Sequence, residues 1–376
     1  LRKRRPAAFN LGYPDRAGDP DILVSGRQKA MSPKRSSQPA PRSTTQRGFD
    51  KELAELDALK DSPLDATAVE HIRKALGHRN NFIVAKAAKL VADNELAALL
   101  SDILAAYDRF FVDAVKSDPQ CWAKNALVKA LVKLEHRAKD AYLRGLRHHQ
   151  MEPVWGGQSD TAGTLRGECA HALVDCPGIS DAELLALLLE PLVDEDKTVR
   201  VEAARAIGQV GGISAALLLR LRILLAPATG DEDAPEVLGA VFSALLGLER
   251  AQAIPLVAGF LKDGDDLAAE AAFALSELRT AEALATLVER YRGGVDAWFG
   301  SVMLSAIALT RLPEAMDFLL GLIARDAREA LAVIEAIGRA APTAEQRARV
   351  EQAVKQADNT RLDQAFRQHF PEPARE

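Results

Sequence analysis

The stretch "DEDKTVRVEAARAI", residues 194–207, aligns without a gap on "DTAGTLRGECAHAL", residues 160–173, and this match decides the fold. Six of the fourteen positions are identical: an opening Asp, a Thr and an Arg one residue apart, a Glu, and two Ala. A third segment, "DPQCWAKNALVKAL" (118–131), keeps the opening Asp and puts Lys124 where the others have Arg. A fourth, "LKDGDDLAAEAAFAL" (261–275), keeps the Asp and the alanines and loses the Arg. Each part has a physical role. An Asp ahead of a helix accepts hydrogen bonds from unpaired backbone N–H groups and favours the positive end of the helix dipole. Apolar residues at spacings of three and four form one buried stripe. Alanine on that stripe lets a neighbouring helix come close.

Working outward, a shorter signature recurs along the chain: "ALVKL" (130–134), "ALVDC" (172–176), "AIGQV" (206–210), "ALLGL" (244–248), "ALSEL" (274–278), "ALTRL" (308–312) and "AIGRA" (336–340). The intervals are 42, 34, 38, 30, 34 and 28 residues, a mean of about 34. That is the length of a two-helix repeat. The pattern predicts helix pairs at 64–77/81–92, 95–115/119–134, 137–149/161–175, 181–192/196–209, 214–226/235–248, 251–262/266–278, 281–292/296–311 and 314–325/327–340. A closing helix is expected near 344–357. Ser62 with Pro63 marks a helix start. Ser180 with Glu183, and Thr343 with Gln346, read as capping boxes. Such a stack turns the alanines of each second helix inward and leaves no place for strands between residues 120 and 340.

The pattern resembles the HEAT repeat, including its bacterial variants, over about residues 62–340. The best match is "LLLEPLVDEDKTVRVEAARAIGQVGG" (187–212), with the family's Asp, Val-Arg and Ala-Ala spacing. "AIPLVAGFLKDGDD" (253–266) looks like a HEAT first helix with its early proline, Pro255. The resemblance implies an all-α fold, a right-handed α-solenoid of about eight HEAT-like helix pairs. It also implies that Asp160, Arg166, Asp194 and Arg200 form a ladder of hydrogen bonds between units rather than an active site.

Composition agrees with helices. Hydrophobic residues make up 48 % of the chain, yet aromatics only 5 %, which disfavours a β-sandwich. Cys121, Cys169 and Cys176 are too few for a disulfide framework and suit a reducing cytoplasm, the expected location. No uninterrupted apolar run reaches the roughly 18 residues of a membrane span. The nearest, "ISAALLLRLRILLAPA" (213–228), carries Arg220 and Arg222 in its middle. Residues 1–47 hold eleven Lys/Arg against three Asp/Glu, so a net charge of −5 divides into +8 and −13. Residues 1–48 are therefore expected to be a disordered basic leader. The chain opens on Leu1 and its first methionine is Met31, leaving open that residues 1–30 are translated upstream sequence. The solenoid is assigned to 49–342, and capping helices with a tail to 343–376.

One connection departs from the pattern. "EPVWGGQSDTAG" (152–163) leaves about ten residues between helices where a few are usual. Two readings stay open for it. In one, Trp155 is an exposed anchor, Gly156 and Gly157 shape the backbone, and Gln158 adds a polar contact. In the other, Trp155 folds back and plugs the groove between units. On the second helices, Lys129, His171 and Arg205 fall in one repeat position, and Glu168 with Glu202 in another. A basic row beside an acidic one suits a protein or peptide better than a nucleic-acid backbone, which needs net positive potential. The basic stretch 135–149 is not repeated in later units, which also disfavours nucleic acid.

No catalytic set converges, and no cofactor or metal is called for. His171, Cys169 and Cys176 lack the four spaced ligands of a zinc site. The sequence has no His-Glu dipeptide of the iron-binding HEAT-like hydroxylases, no phosphate loop and no nucleophile elbow. The expected function is a non-catalytic scaffold that holds a protein or peptide through the concave groove lined by the second helices and through the 151–160 loop, away from membranes and in an unspecified oligomeric state. The alternative is a HEAT-like enzyme or a binder of a small ligand or nucleic acid. Relatives of this architecture attach bilin pigments or remove damaged bases, and Trp155 with Asp160 is the pair such chemistry would use here.

Overall fold

Helices begin where the sequence supplies an oxygen to their first N–H groups. The computed structural model describes residues 44–60, 64–229, 234–325 and 327–371. Most of the predicted leader, the Ser62–Pro63 helix start and the end of the tail lie outside the described residues. The helices in order are α1 (Thr44–Ala58), α2 (Ala66–Leu76), α3 (Asn81–Asp93), α4 (Leu100–Arg109), α5 (Ala114–Ser117), α6 (Trp122–Lys133), α7 (Lys139–Leu146) and α8 (Gly163–Val174). They continue as α9 (Asp181–Leu192), α10 (Lys197–Val210), α11 (Gly212–Thr229), α12 (Pro235–Glu249), α13 (Ile254–Ala258), α14 (Asp266–Glu277), α15 (Ala281–Arg292) and α16 (Ala297–Leu309). The last four are α17 (Pro313–Ile323), α18 (Ala327–Arg339), α19 (Ala344–Gln356) and α20 (Thr360–His369).

Asn80, Asp196, Asp265 and Asp296 each accept from a backbone N–H in the first turn of α3, α10, α14 and α16. Ser180 with Glu183 and Thr343 with Gln346 form reciprocal capping boxes. At the other end a left-handed residue recurs. The residue just after the short repeated signature has positive φ at Glu135, Gly211, Arg279 and Ala341. Only one of these is glycine, so the turn geometry overrides the usual cost of a left-handed side chain.

The second helices pack one on the next, in the order α3, α6, α8, α10, α12, α14, α16, α18, α20. The helix preceding each packs against its side: α2 on α3, α4 on α6, α7 on α8, α9 on α10, α11 on α12, α15 on α16, α17 on α18 and α19 on α20. The alanines of the second helices face inward: Ala87, Ala130, Ala170, Ala203, Ala206, Ala271 and Ala306 are all fully buried. Leu127, Leu165, Ile207, Leu245, Leu275 and Ile307 fill the space between the two rows. Each contributes roughly 1.5–3 kcal/mol through removal from water. Phe49, Leu53 and Leu56 of α1 pack against the same core.

Several expectations need correction. The long first helix expected over 95–115 is broken: α4 stops at Arg109, and the chain turns at Asp113, which is left-handed, before the single turn of α5. The first helix expected over 251–262 is reduced to five regular residues flanked by tight 3₁₀ turns. Strands do occur between residues 120 and 340. Met151–Val154 (β1) and Gly157–Asp160 (β2) pair as an antiparallel hairpin in the connection read as a loop. Asp194 does not cap α10; Asp196 does. Residues 235–261 form one stretch long and apolar enough to cross a membrane by composition; an 18-residue window within it has a mean hydropathy of 1.4, and 56 % of that window is buried within the fold.

Close approach in the row of second helices relies on glycine as well as alanine. A Cβ at Gly208 would lie 2.9 Å from Ala244 Cβ on α12. Gly247, on α12 itself, has open space around it. Both glycines sit in helices, where alanine is favoured by about 1 kcal/mol. Gly247→Ala should therefore raise the urea midpoint. Gly208→Ala should lower it, because overpacking costs about 1–3 kcal/mol and outweighs the same gain.

Candidate functional site

The hairpin pairs Met151 with Asp160, Glu152 with Ser159, Pro153 with Gln158 and Val154 with Gly157. Trp155 and Gly156 make its two-residue turn, and Gly156 has φ +87°. A side chain there would be strained, so the first glycine of "VWGGQ" is a conformational requirement. Trp155 is 104 % exposed, with Val154, Gly156, Gly157 and Gln158 exposed around it. The indole therefore does not fold back as a plug.

The base of the hairpin is tied down by polar groups that are mostly buried. Glu152 is inward-facing, and its Oε1 accepts from the Gln120 backbone N–H (2.6 Å), from Gln150 Nε2 (2.6 Å) and from Thr161 Oγ1 (2.8 Å). Burial opposes ionisation of Glu152, but these three donors outweigh it and hold the carboxyl below its ordinary range. Gln150 Nε2 also donates to the Asp118 carbonyl (2.8 Å), while its Oε1 accepts from Lys124 Nζ (3.0 Å).

Lys124 and Asp118 are both completely buried, 3.1 Å apart. Lys124 Nζ donates further to the Phe110 carbonyl (3.2 Å). Asp118 accepts from Asn81 Nδ2 (3.0 Å) and from the backbone N–H groups of Ala123 (2.8 Å) and Lys124 (3.0 Å). A buried ion pair survives only when its remaining donors and acceptors are met, and here they are.

One unit along, Asp160 and Arg166 occupy the same repeat positions with a different outcome. Asp160 Oδ1 accepts from the N–H groups of Gln150 (2.9 Å) and Ala162 (2.9 Å), and Oδ2 from His149 (2.8 Å) and Arg166 Nη1 (2.7 Å). Burial opposes its charge, but the four donors prevail and bring its pKa to about 2. Arg166 then reaches into the next unit and grips Asp194 with two bonds of 2.8 Å. Arg200, the third cation of the series, donates to the backbone carbonyls of Asp194 (2.6 Å) and Glu195 (3.0 Å).

The residues read as a charged row lie on α6, α8 and α10 and pair across neighbouring helices. Lys129 meets Glu168 at 3.4 Å, and His171 meets Glu202 at 2.6 Å. Arg205 meets Glu202 at 2.7 Å within α10. Side chains of the one repeat position thus meet the glutamates of the other, within and across neighbouring helices. The three cysteines are buried and free; burial pushes Cys121 up to about 11 and Cys169 up to about 12, so neither is a ready thiolate.

Three features escaped the sequence reading. Glu152 and Gln150 sit beside the quoted Trp-Gly-Gly but give no periodic signal in four-residue strands. The Gly-Gly pair between short flanks was the available hint of a hairpin. Phe82 and Trp122 are half-exposed in the first turns of α3 and α6, with ring centroids 5.2 Å apart. Trp122 Nε1 donates to the side chain of Gln120, the residue whose backbone N–H holds Glu152. No family model matches the chain, and no curated protein matches it.

Two outcomes follow from the geometry. Lys124→Met leaves Asp118 charged and buried, and should cost about 3–5 kcal/mol in urea unfolding at neutral pH. Asp160 has a depressed pKa, so its contribution is complete above the ordinary carboxylate range and disappears as pH falls from about 4 towards 2. Unfolding free energy should fall across that window by about 2 kcal/mol on account of Asp160 alone. The fall should be shallower in Asp160→Asn, as measured by urea titrations at stepped pH.

Proposed function

We propose that the chain is a HEAT-like α-solenoid acting as a non-catalytic scaffold that binds a protein or peptide. The hairpin tip supplies the anchor, and the charged row on the second helices supplies polar contacts. A fully exposed tryptophan on a fixed support carries this reading. An indole at 104 % exposure has no role in the stability of its own fold, while its carrier is held by Glu152, Gln150 and Thr161. Tryptophan is the side chain most enriched among residues that dominate binding energy. A two-stranded hairpin also limits the entropy lost when the tip engages.

Support for the repeat assignment comes from the ordered packing of second helices and from the Asp–cation position filled three times along it. The paired charges of Lys129, Glu168, His171, Glu202 and Arg205 suit polar recognition of a peptide, because their net potential is near neutral. The enzymatic alternative rested on Trp155 with Asp160. Asp160 accepts from four donors that hold its carboxyl pKa at about 2, which disfavours it as a proton donor or acceptor near neutral pH.

A peptide-display selection against the immobilised full chain tests the proposal. Selected peptides should lose about 30-fold or more in affinity to Trp155→Ala, the range of a dominant interface residue. The substitution should leave the thermal midpoint unchanged. Arg205→Glu should change the charge preference of the selected peptides. Peptides that bind both variants as tightly as the native chain would remove the tip and the row as the binding surface.

A further inference from the structure

Two clefts of similar size open at the same place in the repeat, four helix pairs apart. The first, about 550 Å³, lies among the ends of α7 and α9 and the starts of α8 and α10. The second, about 510 Å³, lies between α15 and α17 and the starts of α16 and α18. Their charges are opposite. The first is lined by two arginines against five carboxylates, and Arg166 there is gripped by Asp160 and Asp194. The second is lined by three arginines, Arg292, Arg325 and Arg328, against two carboxylates.

The reversal has a cause in the sequence. Three residues before and three after the first residue of α8 and of α10 stand Asp160 with Arg166 and Asp194 with Arg200. The same positions about α16 and α18 hold Gly294 with Gly300 and Ala324 with Ala330. The acids of the ladder are gone, while arginines enter from other positions. Both carboxylates of the second cleft are already engaged. Asp296 accepts the Phe299 N–H as the cap of α16, and Glu329 accepts the Tyr291 hydroxyl at 3.1 Å. Arg292 and Arg325 have no carboxylate partner among the described residues. The Arg292 guanidinium lies 5.3 Å from the centre of the Phe318 ring, a contact that does not consume its N–H donors. Val295 and Phe318 are half-buried and give the cleft an apolar wall.

We propose that this cleft binds a small soluble phosphate monoester, with Arg292 and Arg325 on the phosphate and the organic group against Val295 and Phe318. A phosphate monoester carries close to two negative charges on three terminal oxygens, which matches two guanidiniums that lack a counter-charge. A carboxylate offers one charge and two oxygens. Like charges about one cleft repel one another, and a dianion between them reverses that interaction. The start of α16 adds the positive end of a helix dipole on the same side. The volume falls within the range of about 300–1,000 Å³ usual for small-ligand sites. A positive cleft is also an exception on a body whose residues 48–376 carry a net −13. The site is separate from the hairpin tip and the charged row, so it stands or falls apart from the peptide-binding reading.

Calorimetric titration of the full chain with phenyl phosphate at about pH 8, where the ester is a dianion, tests the site. Inorganic phosphate, which lacks the organic group, should bind about 5-fold or more weakly. Arg292→Gln and Arg325→Gln should each weaken the ester by about 10-fold or more, the worth of a hydrogen bond to a charged group. Arg325 is exposed, so its variant should keep the native thermal midpoint. Arg147→Gln, in the first cleft, should bind the ester as the native chain does. Absence of binding at millimolar ester, or an equal loss in Arg147→Gln, overturns the proposal. So does inorganic phosphate bound as tightly as its phenyl ester. Binding confined to phosphopeptides or to phosphatidic acid vesicles overturns it too, because the arginines would then belong to a macromolecular contact.

Discussion

Neighbouring second helices meet at points where a side chain is missing. Gly167 faces the stem of Glu202, Gly208 faces Ala244, Gly239 faces Glu270, and Gly338 faces the backbone and Cβ of His369. The fully buried alanines occupy the rest of that face. Close approach maximises dispersion contacts and excludes water from a core that has few aromatics to fill it. At these contact points it leaves no room for anything larger. Bulk comes from larger side chains elsewhere on the second helices, such as Leu127, Leu165 and Leu245, and from the leucines of the preceding helices, such as Leu188 and Leu219.

At the helix ends one sequence position serves several structural roles. Asp118 with Lys124 is a sealed pair at the foot of α6. Asp160 with Arg166 becomes a bridge, because Arg166 is long and forked and can span to Asp194 while still holding Asp160. Arg200 reaches only backbone carbonyls among its described bonds, and in the following units the cation is gone. The hairpin sits where the sealed pair and the bridge meet, through Gln150 and Glu152. This explains why a short two-stranded element, marginal on its own, holds a defined position. Trp155 owes its full exposure to that support.

Two apolar surfaces therefore coexist for different reasons. The indole of Trp155 is isolated at the tip of the hairpin, whose base is held by Gln150, Glu152 and Thr161. The exposed Ile213, Leu217, Leu221 and Leu224 of α11 instead recur along one helix face. Both leave the inner row untouched, since neither Trp155 nor the outward leucines pack against its alanines.

Local patterning was legible from the sequence wherever the cause was local. The three- and four-residue spacing of apolar residues, the capping boxes at Ser180 and Thr343, and the inward alanines each depend on residues within one or two turns. Helix 181–192 is found at its predicted ends for that reason. Asp194 was read as the helix-start Asp in place of Asp196 because both are acidic residues near a helix start, and only the position of Arg166 from the previous unit determines which one is drawn away to an ion pair. The breaks at 110–113 and around α13 lie in stretches whose composition is compatible with a continuous helix. What tertiary structure alone decided was burial: that Lys124 is sealed while Arg205 is exposed, that Glu152 turns in while Trp155 turns out, and that α11 buries Arg222 while Leu217 and Leu221 face water. The same residue types occur on both sides of each pair, so their surroundings, assembled from segments tens of residues apart, set the outcome.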